Sequence, residues 1–182
     1  MVYADGQFYR RWSDMLVQRA IDRNFIEKTA RRSLVEKGVA KIPVNPEELA
    51  YRMGLQVKYA DIPGNCTGLM NRDEKLIIVD EWLKEEDPPQ ARFVIAHELG
   101  HWCLEQDTET AMNSETDTDD REIAASLFAR ALLMPRPYVE KAIKIYNEKR
   151  KEIFHSSIEY VASLFEVPVR HARRRLEECD FV

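Results

Sequence analysis

His97, Glu98 and His101 are the residues of this chain whose types and spacing most clearly amount to chemistry. They form His97-Glu98-Leu99-Gly100-His101, a His-Glu-x-x-His pattern inside an apolar run. Phe93, Val94, Ile95 and Ala96 precede it, and Trp102, Cys103 and Leu104 follow. On a helix, residues four apart lie one turn apart on one face. Two neutral imidazoles at that spacing can hold one zinc ion. Glu98 stays close enough to take a proton from a water that the metal activates. The core-like flanks argue against a solvated helix that happens to carry two histidines, because a buried histidine pair needs partners.

A catalytic zinc takes three protein ligands and leaves one position open. The other two histidines, His155 and His171, lie in the C-terminal part, away from any recognisable ligand spacing. They read as surface or capping residues. Glu122 is the better candidate. It opens a segment whose small residues Ala124, Ala125, Ser126 and Ala129 allow a close helix–helix approach, and Gly100 offers a matching flat spot on the first helix. Two packed helices would then assemble a site from His97, His101 and Glu122. Asp119 and Asp120 compete at the same helix end. Cys103, two residues past His101, falls on a different helix face and reads as core.

The elements that must position these residues follow from periodicity and punctuation. Residues 9–37 predict a helix, with Trp12, Met15, Leu16 and Ala20 on one face, Ile26, Ala30 and Leu34 continuing it, and Gly38 as the stop. Asn45 is an N-cap and Pro46 the first position of a short helix over 46–53, which ends at Gly54. Residues 55–59, 66–71 and 76–79 predict strands, the last two joined as a hairpin through 72–75. The unbroken apolar run Leu76-Ile77-Ile78-Val79 predicts a strand buried on both faces. Residues 81–87 are charged, and Pro88-Pro89 opens the motif helix, about 89–104.

Residues 105–120 carry seven acidic side chains and no Lys or Arg, so they read as a solvated loop. The spacing and glycine of an EF-hand calcium loop are missing. A second strong helix follows over 119–133, with aspartates suited to its N-terminus and Met134-Pro135-Arg136-Pro137 ending it. Further helices are predicted over 138–150, 156–165 and 168–178.

With 182 residues, 45% hydrophobic and 32% charged, the chain has ordinary globular composition and room for one real core. A formal net charge of -5 argues against a nucleic-acid binder that uses its whole surface. The early charges Asp5, Arg10, Arg11 and Asp14 leave no apolar signal-peptide core, and no apolar run is long enough to span a membrane. Three scattered cysteines, Cys66, Cys103 and Cys179, suit a reducing compartment. The expected location is cytoplasmic.

Two long stretches carry a family resemblance. Arg92-Phe93-Val94-Ile95-Ala96-His97-Glu98-Leu99-Gly100-His101 and the run from Glu122 through Ala125, Ser126, Phe128, Ala129, Leu132 and Leu133 to Met134-Pro135 closely resemble the ImmA/IrrE metallopeptidases. These pair an RFxxAHELGH helix with an ExxANxFAxxLLMP helix. The resemblance covers about residues 42–180, taking in Pro46, Leu49, Ala50 and Met53 to Leu55, the 76–79 strand, and the end from Ile158 through Phe165 and Pro168 to Leu176. Residues 1–38 are not covered. Ser126 stands where the family usually has Asn, and the acidic segment lacks the His often found after the motif helix.

The resemblance implies an α+β fold: a minimal zincin-like core, with a small antiparallel or mixed sheet packed on the two site helices. It divides the chain into an N-terminal helical extension, 1–38, the core, 39–135, and a helix-turn-helix-like part, 136–182. It implies that His97, His101 and Glu122 hold zinc and that Glu98 is the general base. It further implies an intracellular protease whose partner is a helix-turn-helix repressor, cleaved to turn on stress or mobile-element genes. An extended peptide would lie along the sheet edge near 66–71. Tyr138 and His155 are the nameable second donors for an oxyanion, and each reads first as a structural residue.

Three rival readings remain at this level. Residues 156–177 fit a helix-turn-helix, and Arg170, His171, Arg173, Arg174 and Arg175 cluster on its second helix, which points to DNA. Glu166, Glu177, Glu178 and Asp180 balance those arginines, so direct nucleic-acid binding is not the expectation. A non-hydrolytic antirepressor or sensor would have no physical need for Glu98. A zinc hydrolase of another substrate class would use the same ligands.

Overall fold

Leu76–Asp80 (β3) is the strand that the unbroken apolar run predicts, and it lies in the middle of a three-stranded sheet. Gln56–Ala60 (β1) pairs with it in parallel, Gln56 opposite Leu76 and Ala60 opposite Asp80. Gly68–Asn71 (β2) pairs with it antiparallel, Gly68 opposite Val79 and Asn71 opposite Leu76. The sheet is therefore mixed, with β2 at one edge. Neighbours on both sides bury Leu76, Ile77 and Val79, while Ile78 is half-buried. The structure is a computed structural model and describes residues 22–64, 66–106, 118–149 and 153–182.

Local signals set the helix ends. In α1, Arg23–Glu36, the Asp22 carboxylate accepts from the Asn24 and Phe25 amides at 2.9 and 3.1 Å. Gly38 follows with φ +66°, the left-handed conformation that a glycine stop adopts without strain. The predicted beginning of this helix, 9–21, lies outside the described residues. In α2, Pro46–Arg52, Asn45 caps the Glu47 and Glu48 amides with Pro46 at the first position, as expected.

One helix escapes the sequence reading. The charged stretch after β3 is α3, Glu81–Glu86, with Asp80 capping the Trp82 amide and Leu83 buried. A single apolar anchor in six residues leaves no periodicity to detect.

The motif helix, α4, is Pro88–Gln106, and its partner, α5, is Thr118–Leu133. Between them most of the acidic segment, 107–117, lies outside the described residues. Then come α6, Arg136–Lys149, α7, Ser157–Phe165, and α8, Val169–Glu178. Glu166 turns the chain from α7 to α8 in a left-handed conformation, φ 53°.

Helices α4 and α5 are the most extensively packed pair, with the sheet against α4 and α1 against α5. Ile26 and Leu34 of α1, Phe165 of α7 and Leu176 of α8 join the same apolar cluster as Leu99 and Phe128. Arg92 ties three segments together: it donates to the Val44 carbonyl at 2.6 Å and the Glu166 carbonyl at 3.1 Å. Arg175 corrects a sequence expectation. Read as part of a basic helix face, it is 2% exposed and donates to the Met134 carbonyl at 2.8 Å. Its guanidinium pairs with Glu27 of α1 and lies 3.6 Å from Glu178. Arg130 binds Glu178 at 2.7 Å, so α8 is clamped onto α5 and α1.

Candidate metal centre

The middle of helix α4 is largely apolar, and its polar side chains there are those of the motif. Phe93, Val94, Ile95, Ala96 and Leu99 are buried, and Glu98 is 7% exposed. His97 and His101 project together toward α5. Gly100 makes the meeting possible: a β-carbon there would lie 2.9 Å from both the Cα and the carbonyl oxygen of Ala125. Bare backbone at that point lets α5 approach closely enough for Glu122, one turn before Ser126, to reach the histidines.

Three ligand atoms converge. His97 Nε2 is 3.0 Å from Glu122 Oε2 and 3.1 Å from His101 Nε2, and His101 Nε2 is 3.3 Å from Glu122 Oε1. Atoms bound tetrahedrally to zinc at ~2.0–2.1 Å are about 3.3 Å from one another. The nitrogen–nitrogen–oxygen donor set and its spacing thus fit zinc. Among the described residues, these three are the cluster with that geometry, and neither Asp119 nor Asp120 belongs to it. The His97 pKa is lowered, first by burial and then by His101, while Glu122 acts in the opposite sense. Burial, His101 and, least, Arg130 lower it, and each favours a neutral imidazole, the form that can donate a lone pair.

The cluster opens into a cavity of about 590 Å³. Residues 66–69, leading into and along the edge strand β2, form one wall. Gly68 lets that wall come close: a β-carbon would fall 2.2 Å from Val94 Cγ1 and 3.4 Å from Glu98 Oε1, so the β2 backbone passes next to Glu98. From the turn after β2, Arg72 donates to the His101 carbonyl at 2.5 Å and holds the far end of the motif. Cys103 is half-buried with its sulfur 3.9 Å from Ser33 Oγ, apart from the cluster and in keeping with a packing role.

The opposite wall departs from the sequence reading. His171, expected on the surface or at a cap, stacks on Phe93 with ring centroids 3.4 Å apart and lines the cavity beside Arg170. Burial, then the neighbouring Arg170, Arg130 and His97, push its pKa down to about 3. The contact needs α8 folded back against α4, which no local spacing announces. Tyr138 and His155, named as oxyanion donors, do not line the cavity, and His155 is 95% exposed beside Glu159. A different residue was missed as a site partner: Ser126 Oγ lies 3.2 Å from His97 Nδ1.

Residues 50–177 match a family model described as the IrrE N-terminal-like domain, Peptidase M78, which spans α2 to α8 and both site helices. The chain belongs to the ImmA/IrrE family. This is a metallopeptidase family, which implies a metal, typically zinc. Over 112 residues the chain is 35% identical to Metallopeptidase ImmA of Bacillus subtilis (strain 168), a match covering 58% of this chain and 59% of that protein. A solved structure, the Mycobacterium tuberculosis transcriptional regulator, superposes with a TM-score of 0.67 at 22% identity. The match covers 93% of this chain and 61% of that one, and shows that the two share a fold. The chain thus spans about three fifths of each of these two relatives. Among the described residues, no helix is long and apolar enough to cross a membrane.

Proposed function

We propose that this chain is a zinc-dependent endopeptidase that acts in the cytoplasm on a partner protein, a helix-turn-helix transcriptional repressor. His97, His101 and Glu122 are its metal ligands and Glu98 its general base. The observation that carries this reading is the convergence of the three ligand atoms beside the nearly buried Glu98, at the mouth of a cavity bordered by a sheet edge.

Zinc bound there would polarise the scissile carbonyl and make a water acidic enough to lose its proton near neutral pH. Glu98 accepts that proton and returns it to the leaving amine. Its position next to the β2 backbone keeps bulk water from one side of the carboxylate. An extended peptide aligns along β2, whose outer edge has no neighbouring strand among the described residues. The Phe93–His171 stack and Arg170 border the cavity on its far side.

The basic face of α8 gives little support to a DNA-binding role. Arg175 is buried, Arg174 pairs with Glu177 at 3.0 Å, and Arg170 donates to Gln90 at 2.5 Å. The deciding experiment incubates the zinc-loaded protein with the helix-turn-helix repressors of its own source organism. A single cut in one of them, prevented by a chelator and restored by zinc, is expected. Repressors that all stay intact in the presence of zinc-loaded protein overturn the reading.

A further inference from the structure

We propose that Ser126 is a positioning residue for the metal: it orients His97 and accommodates the proton shift that metal binding requires. This rests on the reading of His97, His101 and Glu122 as a zinc site.

The geometry is that of one helix holding both nitrogens of one ring. Glu122 and Ser126 are four residues apart on α5 and share a face. Glu122 Oε2 meets His97 Nε2 at 3.0 Å, and Ser126 Oγ meets Nδ1 of the same ring at 3.2 Å. The ring is therefore fixed about its long axis by two contacts from α5. The close crossing of Gly100 against Ala125, the residue next to Ser126, places the hydroxyl within reach.

The choice of a hydroxyl has a chemical consequence. A neutral imidazole carries its proton on one nitrogen only. With no cation bound, Nε2–H can donate to the Glu122 carboxylate, and the Ser126 hydroxyl then donates to Nδ1. When Nε2 gives its lone pair to a metal, the proton must reside on Nδ1, and Nδ1–H donates a hydrogen bond to Ser126 Oγ. A hydroxyl can serve in both directions by rotating, whereas a carboxylate can only accept. Ser126 therefore supports the ring before and after metal entry without adding negative charge to a site that already has Glu98 and Glu122.

The test compares the wild-type protein with Ser126→Ala and Ser126→Thr. Zinc affinity is measured by competition with a chromophoric chelator. The exchange of the His97 Nδ1–H proton with water is followed by nuclear magnetic resonance in the zinc-loaded proteins. Ser126→Ala is expected to weaken zinc binding about 10–100-fold and to speed that exchange, and Ser126→Thr to restore both. A loss under about tenfold in Ser126→Ala, unchanged proton exchange, or no restoration by Ser126→Thr overturns the proposal. Failure of the wild-type protein to bind zinc would instead overturn the metal site itself.

Discussion

Gly100 lies so close to Ala125 that a β-carbon at 100 would sit 2.9 Å from the Ala125 Cα and its carbonyl oxygen. This contact sets the distance between the helix that carries both histidines and the helix that carries Glu122. Gly100→Ala is accordingly expected to destabilise the protein by about 1–3 kcal/mol through overpacking, and to weaken zinc binding as Glu122 moves away. Urea unfolding and a zinc titration of the same variant check both effects. Wild-type values in both would show that the helices do not need the close crossing.

Glu98→Gln separates chemistry from metal binding. The amide cannot take a proton from water, while His97, His101 and Glu122 are untouched. Peptide cleavage is expected to fall by roughly 10²–10⁴-fold with zinc content unchanged. An active variant, or one that has lost its zinc, would contradict the assigned role of Glu98.

The stacked His171 predicts a pH effect of definite sign. Its folded-state pKa is pushed down to about 3, below the ordinary value of 6.5, so between these limits the unfolded chain binds the extra proton. Its effect on stability is thus absent above about pH 6.5 and becomes increasingly unfavourable as pH falls toward 3. His171→Phe keeps a ring on Phe93 and removes this titration. Acid unfolding followed by circular dichroism should have its midpoint at lower pH in the variant than in the wild type; an equal or higher midpoint would refute the assignment.

Arg175 ties α8 to α1 and to the segment that follows α5, pairing with Glu27, donating to the Met134 carbonyl and lying 3.6 Å from Glu178 of its own helix. Arg175→Met removes the cation that pairs with Glu27 and leaves the Met134 carbonyl without this donor, while Glu178 keeps Arg130. The expected loss is on the order of 3 kcal/mol, read from denaturant unfolding. A neutral or stabilised variant would mean that packing alone holds α8 in place.

Glu122 shows how far the sequence reaches. The pair His97 and His101 is legible because its geometry is local: four residues along a helix is one turn, whatever surrounds it. The capped ends of α1 and α2 and the buried β3 are legible for the same reason, since each depends on neighbours within a few residues. Glu122, 25 residues beyond His97, is nameable from its small-residue context and from family resemblance. Its separation from Asp119 and Asp120 as a member of the cluster depends on the rotation of α5 against α4.

By itself, then, the sequence determined the paired histidines with their glutamate, the run of helices and strands apart from α3, and the family resemblance. Tertiary structure brought the Glu122 named from the sequence into contact with both histidines, and it alone decided that the sheet is mixed, that Ser126 meets the second nitrogen of His97, and that His171 stacks in the cavity wall while Arg175 turns inward. The physical reason is common to all of these. Each arises where segments distant in sequence are brought into contact by burial of apolar surface, a force without direction that leaves no local spacing for a sequence to display.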